Sequence, residues 1–256
     1  MKQAFPAELR PGAARGRLQT DWLQARLSFS FGSWRDPRRD HFGALRALNE
    51  DLVAPASGFA MHPHRQLDIL LLPWTGPIEH ADSLGHRAVV RPGEVQAMLV
   101  GDGLSHSQMN ASAQAPERHF QLWFDPPLSR GHPQLLQRRL PAPAPDGWQA
   151  VIGPAGTAAP IDLGHDLRLW IGRPRPADAL PLPGRADARL YLHAIDGPVT
   201  IETMDEVQGR CWSLDDGDAL AFDHGFPRLA LRLAPAAALL RIEQGIAAPA
   251  SPRDSG

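Results

Sequence analysis

Along most of this chain, apolar and polar residues alternate with a period of two, the pattern of strands that bury one face. Arg26-Leu27-Ser28-Phe29-Ser30-Phe31 shows it plainly. Leu67 to Leu72, His86 to Arg91, Val95 to Val100 and Arg118 to Phe124 add further alternating or continuous apolar runs. Glycine and proline punctuate these runs every ~8 to 12 residues, which predicts an all-β sandwich or barrel. Helical periodicity is scarce, and the one short helical element it predicts is Gln134-Leu135-Leu136-Gln137-Arg138. The 26 prolines fit many turns and few long helices.

The pattern occurs twice. In the second half, Arg189 to Ile195 reads as a strand, Asp196-Gly197-Pro198 as a turn, and Val199-Thr200-Ile201 as the returning strand. Leu214 to Phe222 then gives an acidic glycine turn and another strand. In the first half, Trp74-Thr75-Gly76-Pro77-Ile78 corresponds to the first of these turns and Arg91-Pro92-Gly93-Glu94-Val95 to the second. This predicts an internal duplication, two β-barrels in one chain. The expected division is a first barrel over 1–132, a linker over 133–147 and a second barrel over 148–246. A disordered tail is expected over 247–256. The PAPAP stretch gives the linker extended polyproline geometry, and the small polar residues of the tail favour disorder.

Composition narrows the function. In 256 residues, 43% apolar and 21% charged, the chain reads as a soluble globular protein. A formal net charge of -2 lacks the broad basic footprint of a nucleic-acid binder, so no nucleic-acid partner is expected. Cys211 is the only cysteine, which excludes an intrachain disulfide and a Cys-rich zinc site. Lys2 is the only lysine, leaving Schiff-base chemistry without a good candidate. No run approaches the ~18 to 20 apolar residues of a membrane span, and the first residues lack the apolar region of a secretory signal. The expectation is a cytoplasmic protein without a membrane partner. Nothing in the sequence identifies a protein partner.

Chemistry gathers in two short motifs. In His62-Pro63-His64 the histidines stand at i and i+2, so on a strand they share a face. In Gly101-Asp102-Gly103-Leu104-Ser105-His106-Ser107-Gln108, His106 and Gln108 do the same, and the two glycines permit a tight turn before them. A barrel interior would let His62, His64, His106 and Gln108 converge. Three imidazoles and an oxygen donor suit iron, copper, nickel, manganese or zinc. The plainer alternative is a pocket whose histidines bond one another or water. Glu79, His80, Asp82 and His86 read as solvated residues of a hairpin tip, and His119 and His193 as isolated structural histidines.

Four blocks carry a family resemblance: SFSFGSWRDPRRDHFGALRALNEDLVAPASGFAMHPHR (28–65), IEHADSLGHRAVVRPGEVQAM (78–98), GDGLSHSQ (101–108) and FQLWFDPP (120–127). In this order and spacing they resemble the pirin family of two-domain cupins. LYLHAIDGPVTI and LDDGDALAF in the second half resemble its C-terminal cupin more loosely. The resemblance implies a bicupin, two stacked cupin β-barrels of the double-stranded β-helix (jelly-roll) type. It also implies one divalent transition metal, iron by family association, in the first barrel. The family's three histidines fall on His62, His64 and His106, and its glutamate falls on Gln108, a departure. Asp68 stands where glutamate is usual, and could orient a ligating imidazole. Trp74 stands in a turn where relatives differ. A quercetinase-type dioxygenase acting on a flavonol-like or other small aromatic molecule is the function this implies. A metal- or redox-sensing regulatory pirin and a metal-free cupin that binds a small molecule are the alternatives. Gln108 cannot act as the base that a carboxylate would supply.

Overall fold

The computed structural model describes residues 5–174, 179–204 and 209–246; the expected disordered tail lies outside the described residues. Twenty-one strands and two short 3-10 turns, Gly12–Ala14 and Pro37–Arg39, make up the described secondary structure. No helix among the described residues is long and apolar enough to cross a membrane.

The strands form four antiparallel sheets. A four-stranded sheet runs Gly58–His64, Leu104–Asn110, Ile78–Asp82, Arg87–Val90. It faces a seven-stranded sheet in the order Gln134–Arg139, Glu94–Leu99, Asp68–Thr75, Glu117–Phe124, Leu45–Val53, Leu23–Leu27, Gly16–Gln19. The second barrel pairs a six-stranded sheet, Glu8–Arg10, Ala219–Phe222, Ala188–Ile195, Ala238–Gly245, Leu167–Gly172, Trp148–Ile152, with a four-stranded one, Leu180–Leu182, Leu229–Leu233, Val199–Thr203, Cys211–Leu214. Apart from Gly16–Gln19, which has no counterpart, the two halves have the same spatial order, so the duplication read from the turns is present in the topology.

Two sequence expectations are corrected here. Gln134–Arg139 is a strand, paired residue for residue with Glu94–Leu99 from Gln134↔Leu99 to Arg139↔Glu94. Sheet pairing overrides the weak helical pattern of five residues, and the segment expected as a linker begins as the edge of the first barrel. Glu8–Arg10 takes the equivalent edge of the other large sheet, against Ala219–Ala221. Each large sheet thus has its edge covered by chain lying outside its own half of the duplication.

Alternation sorts the side chains into layers. Leu70, Leu72, Phe120, Leu122 and Phe124 face Leu169, Ile171, Tyr191, Leu240 and Ile242, and this buried cluster joins the two large sheets. The second barrel is filled by its own apolar cluster, including Leu180, Leu182, Leu190, Leu214, Phe222, Leu229 and Leu231. Glu50 ties the halves at one side. It accepts from Arg15, Arg26 and Arg118, while Arg26 and Arg118 also pair with Asp216 and Asp196 of the second barrel. Burial would raise the Glu50 carboxyl, but the three guanidiniums outweigh it and hold it below its usual range. Trp74 belongs to the same junction, where its indole N–H donates to Asp196 at 2.9 Å and its ring meets Phe120 edge-on.

Candidate metal centre

The interior of the first barrel differs from that of the second in being partly polar. Gly58–His64 lies beside Leu104–Asn110 with His62 opposite His106 and His64 opposite Leu104. Between His106 and Gln108 the register shifts, so that Gln108 faces Phe59 and the strand carrying the histidine pair gains one residue. Such a bulge re-aims the side chains beside it. Gly58 lets the strands approach, since a Cβ there would collide with the backbone of Gln108 and Met109.

The result is a three-histidine cluster. His62, His64 and His106 each offer one ring nitrogen, and these atoms lie within 4.8 Å of one another. Their ring centroids are 4.5 to 5.0 Å apart. Nδ1 of His62 stands 2.7 Å from the carbonyl oxygen of Ala60, to which it donates as N–H, leaving Nε2 as the ring nitrogen available to a ligand. His106 is fully buried, and neither of its nitrogens has a partner from the protein. Nε2 of His64 is likewise buried and unpaired. Burial, reinforced by the neighbouring histidines, pushes His106 down to about 3; burial and His62 push His64 down to about 4. Both are therefore neutral at physiological pH, the state that ligates metal. Two neutral imidazoles, His64 and His106, whose buried nitrogens no protein group pairs, beside His62, fit a divalent ion better than a set of histidines bonded to one another, in which those nitrogens would be paired.

The second barrel has apolar residues at the equivalent places. Leu180 and Leu182, separated by Pro181, pair with Leu231 and Leu229 as His62 and His64 pair with His106 and Leu104. Leu180, Leu182 and Leu231 thus stand in the places of His62, His64 and His106, and all three are buried in the apolar core.

Gln108 points into the same interior and is 2% exposed. Its Oε1 accepts from Nε2 of Gln121 at 2.7 Å, and Oε1 of Gln121 accepts from the Trp123 indole N–H at 2.7 Å. Nε2 of Gln108 is buried without a partner. Asp68 is turned away from the cluster. It lies on the face of its strand that carries Leu70 and Leu72, and both carboxylate oxygens accept from Arg130, at 2.9 and 2.7 Å. Arg130 also donates to the carbonyl of Leu163, so Asp68 anchors the second barrel and bonds no imidazole. Asp102, on the turn before His106, is exposed.

The hairpin-tip reading of residues 79–86 is half right. Glu79 and His86 are exposed, but His80 and Asp82 alternate inward with Ile78 and are buried. Asp82 accepts from both histidines, at 3.4 Å from His80 Nε2 and 2.8 Å from His86 Nδ1, and the His80 ring lies 5.6 Å from that of His106. His119 is buried but not isolated: Nδ1 stands 2.9 Å from Glu117, and Nε2 is 3.3 Å from Asp51 without the alignment of a hydrogen bond. Burial alone would lower its pKa, but the two carboxylates outweigh it and push it up to about 10, making an imidazolium. His193 faces the core between the large sheets, against Phe120, and burial holds it neutral.

Above the cluster opens a cleft of about 360 Å³. Trp22, Phe31, Phe59 and Trp123 wall it, and His62, His64 and Gln108 reach it from below. Asn49, Asp51 and Gln121 also line it; these come from the large sheet and lie outside the two short ligand motifs. In the sequence they show only as polar residues at same-face spacing, Asn49 and Asp51, then His119 and Gln121, on two strands of mixed polarity.

Two stacked antiparallel barrels, one lined by three converging histidines, define a bicupin. Comparison with known proteins narrows the class. The family model described as Pirin matches residues 9–124. A quercetin 2,3-dioxygenase of Escherichia coli is 32% identical over 193 residues, 75% of this chain and 83% of that protein. A Mycobacterium bovis relative is 35% identical over 84% of this chain and 86% of its own. The crystal structure of the bacterial pirin YhhW from Escherichia coli in complex with nickel(II) superposes with a TM-score of 0.83 at 27% identity, covering 94% of this chain and all of that one. A quercetin 2,3-dioxygenase from Acinetobacter baumannii shares the fold, with a TM-score of 0.77 at 19% identity over 94% of this chain and 79% of that one. The chain belongs to the pirin family.

Proposed function

We propose that the first barrel binds one divalent transition metal, iron by family association, on His62, His64 and His106, and that the protein is a quercetinase-type dioxygenase acting on a flavonol-like molecule. The observation that carries this reading is His106, a fully buried imidazole with both nitrogens unpartnered, facing two further histidines at the base of an aromatic cleft. A bound ion would supply the Lewis acidity and redox chemistry that dioxygen requires. The chain's own residues supply the rest. Ala60 fixes the tautomer of His62, and the walls of Trp22, Phe31, Phe59 and Trp123 offer flat apolar surfaces to a polycyclic aromatic. Gln108 takes no proton, so Asp51, the one carboxylate lining the cleft among the described residues, is the base available to a substrate hydroxyl.

A second reading rests on the same amide. With a neutral group at position 108 and Asp51 shared with an imidazolium, the site would bind a metal and an aromatic ligand without turnover, as a regulatory or binding protein. Oxygen consumption separates the two. Protein loaded anaerobically with iron(II) and then given quercetin and air should consume oxygen in a metal- and protein-dependent way, and His106→Ala should abolish it. Bound iron with no uptake above the protein-free control would contradict the enzyme and leave the binding reading.

A further inference from the structure

The hydrogen bonds around Gln108 fix which end of its amide faces the histidines. An indole N–H can only donate, so the atom of Gln121 that meets Trp123 must be its oxygen. Gln121 then presents its NH2 to Gln108, and the atom of Gln108 that meets it must also be an oxygen. The orientation follows from the chemistry of Trp123 and not from the similar shapes of amide oxygen and nitrogen. What remains toward the interior is the Gln108 NH2, buried and with no acceptor. Gln108 lies two residues along the strand from His106, on the same inward face, and lines the cleft with His62 and His64.

An amide NH2 has no lone pair to give a cation, but it is a good donor to an anion. We propose that Gln108 is not a metal ligand in this protein: it is a hydrogen-bond donor to an anionic oxygen ligand, a carboxylate or an enolate, bound at a neutral three-histidine centre. Three imidazoles leave a divalent ion with its full charge, which favours an anion among the remaining ligands. The Trp123–Gln121–Gln108 chain then reads and holds that anion. This rests on the metal reading above, and assigns the recognition of the ligand's charge to the relay.

The test uses cobalt(II) as a spectroscopic probe and acetate as the anion. Cobalt affinity is measured first without acetate, and acetate affinity of the cobalt-loaded protein second, in wild type, Gln108→Leu and Gln121→Glu. Gln108→Leu should leave cobalt affinity within about threefold. It should weaken acetate by about ten- to a hundredfold, the worth of a hydrogen bond to a charged group. Gln121→Glu, whose carboxylate can only accept, should turn the Gln108 amide over, tightening cobalt and weakening acetate. A tenfold or greater loss of cobalt affinity in Gln108→Leu would show that the side chain is a ligand and overturn the proposal, as would acetate binding equal in all three proteins. Absence of cobalt binding in the folded wild type would instead remove the metal reading itself, and the proposal with it.

Discussion

At the scale of single residues, the site is built from side chains that stability alone would not select. His106 is fully buried with two unpaired nitrogens, where the second barrel has Leu231 in the equivalent position. Leaving a buried polar group unpaired costs roughly 1–3 kcal/mol, which an apolar replacement recovers. Without metal, then, His106→Leu should raise the urea midpoint, with a gain of about 1 kcal/mol or more, while removing any stabilisation by added nickel(II). Urea unfolding in chelator and in nickel(II) checks both halves; a loss of 2 kcal/mol or more in chelator would mean that the histidine is structural. The cluster itself was legible because strand geometry makes His-x-His and His-x-Gln same-face pairs. Asp51, Gln121 and Trp123 were not, because they arrive from the opposite sheet and only pairing brings them near. Asp68 misled for a related reason: four residues beyond His64, across the bend at Gln66, its strand presents it to the other face.

At the scale of elements, strand register decides what each polar residue does. Glu117–Phe124 pairs with Leu45–Val53 so that His119 stands opposite Asp51. The imidazolium held there by Asp51 and Glu117 joins the two strands behind the cleft. Its folded pKa, about 10, lies above the ordinary value of 6.5. The stability it contributes is therefore complete below about pH 6.5 and lost as pH rises toward 10. Thermal unfolding of the metal-free protein should show this loss across that window, and His119→Gln should flatten it. An equal slope in the two proteins would deny the imidazolium. The same reasoning explains the two element-level errors. Gln134–Arg139 is a strand because an open sheet edge recruits it, and no local pattern records that edge. His80 and Asp82 belong to a strand whose inward face continues to the last residue before the turn, so proximity to a hairpin tip did not make them solvated.

At the scale of the whole molecule, duplication supplies an internal comparison. Both halves share a strand order and an X-proline-X strand at the same place, His62-Pro63-His64 in the first and Leu180-Pro181-Leu182 in the second, and only the first puts histidines there. The turns and the alternation made this architecture readable, because both are local. The exchange of edge strands and the ionic junction at Glu50 were not readable, since they depend on residues far apart in the chain. The central claim is that one barrel carries one metal on three histidines while its twin carries none. Elemental analysis of protein loaded with nickel(II) or iron(II) and freed of excess metal by gel filtration tests it most directly. The account predicts about one equivalent per chain, falling to background in the folded triple variant His62→Leu, His64→Leu, His106→Leu, which copies the second barrel. Less than about a tenth of an equivalent in the wild type, or a full equivalent retained by the triple variant, would contradict it.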